Sequence, residues 1–123
     1  MKSAAILVAV VDDDESVRES LPGLLNELGF ATETFTTAEE FLESGVADNA
    51  KCLILDIAMP GMSGPELHRE LGKRGYLIPT IFMSAHPEFA SLPDMREGAV
   101  DCLLKPFSET ALLEALKRAL NLK

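Results

Sequence analysis

The amino-acid sequence predicts an α/β fold, a doubly wound sandwich of three layers with a parallel sheet in the middle. Two observations carry this. Five short apolar runs, at residues 4–11, 31–35, 52–55, 80–83 and 100–104, recur at intervals too long for hairpins. Helical patterns with start signals lie between them, and such alternation builds a parallel sheet with helices on both faces through right-handed crossovers.

The first and third runs are nearly unbroken Ala, Ile, Leu and Val, as expected of strands covered on both faces. The second alternates, Ala31-Thr32-Glu33-Thr34-Phe35, which fits a half-exposed edge strand. Ser16-Val17-Arg18-Glu19 reads as a capping box, and Val17, Leu21, Leu24, Leu25 and Leu28 follow at helical spacing before Gly29. Pro22 falls inside that helix, where an interior proline costs about 3 kcal/mol, and predicts a kink. Thr37-Ala38-Glu39-Glu40 is a second box, stopped near Gly45. Ser63 precedes a third helix carrying Pro65, Leu67 and Leu71, weakened at Gly72 and Gly75. The stretch from His86 to Gly98 is the poorest helix, interrupted by Pro87 and Pro93. Ser108 opens the last helix, with Leu112, Leu113, Leu116, Ala119 and Leu120 along one face.

A length of 123 residues with 47% hydrophobic residues is enough for one domain, 1–123, with one real core. Twenty acids against eleven Lys and Arg give a net charge of -9. Phosphate backbones repel such a chain, so the segment is not expected to bind nucleic acid directly. Cys52 and Cys102 stand in apolar runs without a neighbouring His or Cys and read as buried small hydrophobes. The N-terminal apolar run ends at Val11 in a block of acids without a cleavage pattern, and no stretch is long enough to span a membrane. These features predict a soluble cytoplasmic protein.

Doubly wound folds bind ligands beyond the C-terminal ends of their strands. Asp12, Asp13, Asp14 and Glu15 follow the first run, Asp56 the third, Ser84 the fourth and Lys105 the fifth. Crowded carboxylates take up protons or hold a cation, and hard oxygen ligands with room for water suit Mg²⁺. A hydroxyl and an amine beside them complete a cradle for a phosphoryl group within reach of an attacking aspartate. Each residue alone also fits a cap or turn; the joint placement at successive strand ends carries the reading.

Val10-Val11-Asp12-Asp13-Asp14-Glu15-Ser16-Val17-Arg18, Asp56-Ile57-Ala58-Met59-Pro60-Gly61-Met62-Ser63-Gly64, Ser84-Ala85 and Gly98-Ala99-Val100-Asp101-Cys102-Leu103-Leu104-Lys105-Pro106-Phe107 resemble a response-regulator receiver domain of two-component signalling, of the FixJ-like subgroup. The resemblance spans essentially the whole chain. It implies a flavodoxin-like (βα)5 architecture with the parallel sheet in order 2-1-3-4-5. It further implies that Asp56 is the phosphoacceptor, receiving the group from a sensor histidine kinase. Asp12, Asp13, Asp56 and the backbone carbonyl of Ala58 would hold Mg²⁺, Ser84 would bond a phosphoryl oxygen, and Lys105 would pair with the phosphoryl group. The Lys105–Pro106 bond is expected to be cis. A downstream output domain or protein, commonly a transcriptional one, and a phosphorylation-dependent homodimer are implied partners. Such a domain catalyses only its own phosphorylation and dephosphorylation.

Three features depart from the family pattern: Cys102 stands where an aromatic switch residue is usual, the Ser84–Lys105 stretch is about one residue short, and Ala58 replaces a longer polar side chain. The changed output predicts that activation is read through residues 86–98. His86 is expected in a solvent-exposed loop and His68 on solvated surface. Rival readings fit less well. A degenerate receiver used only for docking does not need the full acidic pocket. A haloacid-dehalogenase-type phosphatase with Asp12 as nucleophile leaves Asp56 unexplained, and a flavin-binding module is forbidden by four acids in its phosphate loop.

Overall fold

A computed structural model describes residues 6–85, 99–105 and 107–121. Strands β1 (Leu7–Val11), β2 (Ala31–Phe35), β3 (Cys52–Asp56), β4 (Thr80–Ser84) and β5 (Ala99–Leu104) form one parallel sheet in the order β2-β1-β3-β4-β5. The described helices are α1 (Glu15–Glu27), α2 (Ala38–Ser44), α3 (Gly64–Lys73) and α4 (Glu109–Leu120), with a 3-10 turn at Val46–Asp48. Residues 86–98, including His86 and both prolines of the poorest predicted helix, lie outside the described residues. So does Pro106 of the expected cis bond.

Side chains along a strand point alternately to opposite faces, so the central strands feed two cores. On one face Ala9, Val11, Leu53, Leu55 and Phe82 meet Phe41 of α2 and Leu67 and Leu71 of α3. On the other, Val8, Val10, Ile54, Ile81 and Met83 meet Leu21 and Leu25 of α1 and Leu112 and Leu116 of α4. Unbroken apolar runs follow directly from that double coverage. Each fully buried Leu or Phe contributes about 1.5–3 kcal/mol, so the strands themselves anchor the fold. The alternating second run is indeed an edge strand, with Glu33 exposed and Phe35 buried.

Four details differ from expectation. The cap of α1 is Asp14, whose carboxylate accepts the Ser16 N–H at 3.0 Å and the Ser16 hydroxyl at 2.8 Å. Asp and Ser cap equally well, and Asp14 is met first as the chain leaves β1, so the helix begins at Glu15. In α2 Thr37 caps the Glu40 N–H, but the Glu40 carboxylate accepts from Thr36, one residue before the box predicts. Cys102 is half-buried, because among the described residues β5 has a neighbouring strand on one side only. His68 is not simply solvated: its ring packs edge-on against Phe82, centroids 5.8 Å apart. Pro22 sits within α1 without ending it, and Leu21 and Leu25 on either side are buried.

Candidate functional site

The C-terminal ends of β1 and β3 lie side by side, with Val11 in register with Leu55, and bring Asp12 and Asp56 together. Asp12 is wholly buried and held through every polar atom. Its N–H donates to the Phe35 carbonyl at 3.0 Å, continuing the β1–β2 ladder. Its carbonyl accepts from Arg18 Nη1 at 2.9 Å. Oδ1 accepts the Asp14 N–H at 2.9 Å, and Oδ2 accepts Lys105 Nζ at 2.9 Å. Asp13, next in the chain, is exposed.

Asp56 ends β3 with only 8% of its surface exposed. The next residue stays in the sheet, Ile57 N–H donating to the Met83 carbonyl at 3.0 Å, and Gly64 N–H then returns to the Ile57 carbonyl at 3.2 Å. The loop between carries exposed Ala58 and delivers the start of α3 directly onto β3. Ser63 and Glu66 close a reciprocal capping box there, at 3.2 and 2.9 Å. The approach is so tight that a Cβ on residue 64 would stand 2.3 Å from the Asp56 carbonyl oxygen. Only glycine fits.

The other two predicted residues arrive from β4 and β5. Ser84 is buried at the end of β4, and the Lys105 N–H donates to its carbonyl at 2.8 Å. This bond carries the β4–β5 pairing one residue further and aims Lys105 back across the sheet end. Its Nζ lies 2.9 Å from Asp12 Oδ2 and 3.6 Å from Asp56 Oδ1. All the acids and the amine of the sequence-predicted cradle are thus in one place.

Burial first, then the neighbouring Asp12 charge, pushes the Asp56 carboxyl up to about 7, against the opposing pull of Lys105. Burial disfavours the Lys105 ammonium, but the hydrogen bond to Asp12 and the charges of Asp56 and Asp12 outweigh it and hold the pKa up. Asp14 is displaced downward by its hydrogen bonds from Ser16 and serves the helix. Asp12, Asp13 and Asp56 each place a carboxylate oxygen within 4.8 Å of the others. Three hard oxygen donors at that spacing, two buried and one open to solvent, fit Mg²⁺ with part of its water shell retained.

Beside the site runs a groove of about 540 Å³, lined by Val17, Ser20, Leu21 and Leu24 of α1 and by Ala85, Lys105 and Phe107. Sequence reasoning assigned no role to Arg18 or Gly64. A cation near the start of a helix opposes the helix dipole, and that local conflict marks Arg18 as serving something outside its helix. Gly64 gave a weaker signal, a glycine directly after a cap, where any good helix former would be expected.

A sheet of this order with carboxylates at the ends of β1 and β3 and a lysine after β5 defines a receiver of the two-component type. The chain belongs to the response regulator receiver domain family, whose model matches residues 8–117. It is 41% identical over 115 residues to the transcriptional regulatory protein FixJ of Azorhizobium caulinodans, covering 93% of this chain and 54% of that protein. It superposes on the crystal structure of FixJ-N with a TM-score of 0.84 at 37% identity, over 97% of this chain and 96% of that one. The response regulator TrrA of Thermotoga maritima, solved in complex with Mg²⁺–BeF, matches with a TM-score of 0.83 at 32% identity, over 93% of this chain and 98% of that one. The chain spans about half the length of the curated relatives it matches. Among the described residues no helix is long and apolar enough to cross a membrane.

Proposed function

We propose that the chain, read as one cytoplasmic receiver domain over 1–123, accepts a phosphoryl group on Asp56 from a sensor histidine kinase and controls a transcriptional output through the resulting change of shape. The observation that carries this reading is the meeting of Asp12, Asp13, Asp56 and Lys105 at one sheet end, with the Lys105 amine shared between two buried carboxylates. Asp12, Asp13, Asp56 and the Ala58 carbonyl are the ligands we assign to Mg²⁺. A bound Mg²⁺ supplies positive charge against the carboxylates and the phosphoryl oxygens.

An Asp56 oxygen attacks phosphorus as the P–N bond of the phosphohistidine breaks and its electron pair returns to the imidazole. The product is an acyl phosphate, which water later cleaves to carboxylate and inorganic phosphate. Lys105 balances the charge on the phosphoryl oxygens, and the Ser84 hydroxyl donates to one of them, a bond of about 1.5–3 kcal/mol because its partner is charged. The groove beside Lys105, lined in part by Val17, Leu24 and Phe107, offers a donor protein an apolar seat. The net charge of -9 keeps nucleic-acid binding away from this segment, and the phosphorylated form is assigned a homodimer.

Incubation with acetyl phosphate and Mg²⁺, followed by intact-mass measurement, should add one phosphate to the wild type and none to Asp56→Asn. Labelling that persists in Asp56→Asn but disappears in Asp12→Asn would replace this reading with phosphatase-like chemistry on Asp12.

A further inference from the structure

Asp12 directly follows β1, and among the described hydrogen bonds no backbone N–H reaches its carbonyl. One side chain fills that role: Arg18, one turn into α1, reaches back and donates Nη1 to the Asp12 carbonyl at 2.9 Å. The contact is partly buried, and the loop it closes contains Asp13 and Asp14. Asp14 is fixed in turn by its N–H on Asp12 Oδ1 and by its carboxylate on Ser16. Arg18 is therefore the only side chain that ties α1 to the backbone of Asp12 among the described hydrogen bonds. Arg18 is not among the residues that line the groove.

We propose that Arg18 is a positioning residue for the metal-binding acids, fixing the Asp12–Asp14 loop so that the Asp12 and Asp13 carboxylates keep the spacing a divalent cation needs. The inference rests on the Mg²⁺ reading of the site. Electrostatics and positioning predict opposite signs here. By charge alone, removing a cation beside three carboxylates strengthens cation binding. Losing the clamp loosens the loop and weakens it, and residues that orient metal ligands from behind are typically worth tenfold or more in affinity.

The test is Mg²⁺ titration of the whole chain, with amide hydrogen exchange read on the metal-free protein. Arg18→Met is expected to weaken Mg²⁺ binding by about tenfold. Exchange at the Asp14 amide should accelerate while amides of β3 keep their protection. Arg18→Lys, which keeps the charge and a donor, is expected between Met and wild type. A variant that binds Mg²⁺ as tightly as the wild type, or more tightly, overturns the proposal, and so does an unchanged Asp14 amide. A wild type that binds no Mg²⁺ removes the metal reading itself, and the Asp14 amide then still reports whether Arg18 holds the loop.

Discussion

At the ends of β1 and β3 Asp12 and Asp56 are held from several directions, whereas among the described residues β5 is tied to the rest of the sheet along one side. Asp12 has four hydrogen-bond partners, from β2, α1, its own loop and the residue after β5. Asp56 is pinned under the first turn of α3. On β5, by contrast, the register slips: Thr80 pairs with Ala99, but Ile81 pairs with Asp101, so Val100 is an extra residue. Cys102 is half-buried and Leu104 is 46% exposed. The difference teaches a division of labour. Asp12 and Asp56 sit at the ends of strands with neighbours on both sides, while the Lys105 amine that reaches them both follows the strand at the border.

The largest expected effect breaks the fixed half. Gly64→Ala forces a Cβ to 2.3 Å from the Asp56 carbonyl and should destabilise the fold by about 1–3 kcal/mol in urea denaturation. Gly72→Ala, in the same helix with nothing within 4 Å, should instead stabilise by about 0.5–1 kcal/mol. Equal effects at both positions would mean that α3 does not press on β3.

Comparable in size is the pH dependence of the metal-free protein. Burial raises Asp56 from 3.8 to about 7, so the folded chain binds that proton more tightly than the unfolded chain. The stability is present at low pH and is lost as pH rises through about 7, with a slope of at most about 1.4 kcal/mol per pH unit for one proton. Asp56→Asn should flatten the curve between pH 4 and 7, read as the difference between the two proteins in chemical denaturation.

Lys105→Met sharpens the comparison from the edge side. The amine occupies Asp12 Oδ2 at 2.9 Å and partly neutralises the acids. Removing it should tighten Mg²⁺ binding about tenfold, equivalent to about 1.4 kcal/mol, while phosphorylation by acetyl phosphate slows. Unchanged Mg²⁺ affinity would show that the amine leaves Asp12 without cost. The smallest effect belongs to Arg118→Ala, which breaks the ion pair from α4 to Asp101 on β5. Arg118 is well exposed, and pairs of that kind contribute little, so the melting temperature should hardly move.

The alternation of strands and helices was legible in periodicity, the strand order came only with the family resemblance, and the residues at the strand ends were legible because each follows an apolar run. Asp12, Asp13, Asp56, Ser84 and Lys105 needed only one-dimensional placement. What stayed hidden depends on contacts between elements. Gly64 matters through a backbone eight residues earlier, and Arg18 through a carbonyl behind it. Tyr76 reaches Asp48 with its hydroxyl at 2.6 Å, a link across 28 residues that no local pattern announces. The Asp14 cap shows a different limit: two good capping residues stood two apart, and propensity does not rank them.

The bond from the Cys102 N–H to the carboxylate of Asp101, at 2.9 Å, has a consequence for how these molecules meet one another. A terminal strand offers its outward amides to any passing strand, and sheets grow from molecule to molecule by that route. Here one such amide on β5 is already taken by the preceding side chain, and the carboxylate that takes it is itself held by Arg118. A second sheet arriving along β5 would have to displace a charge to find that donor. One donor on the border of the sheet is thereby withheld from an approaching strand.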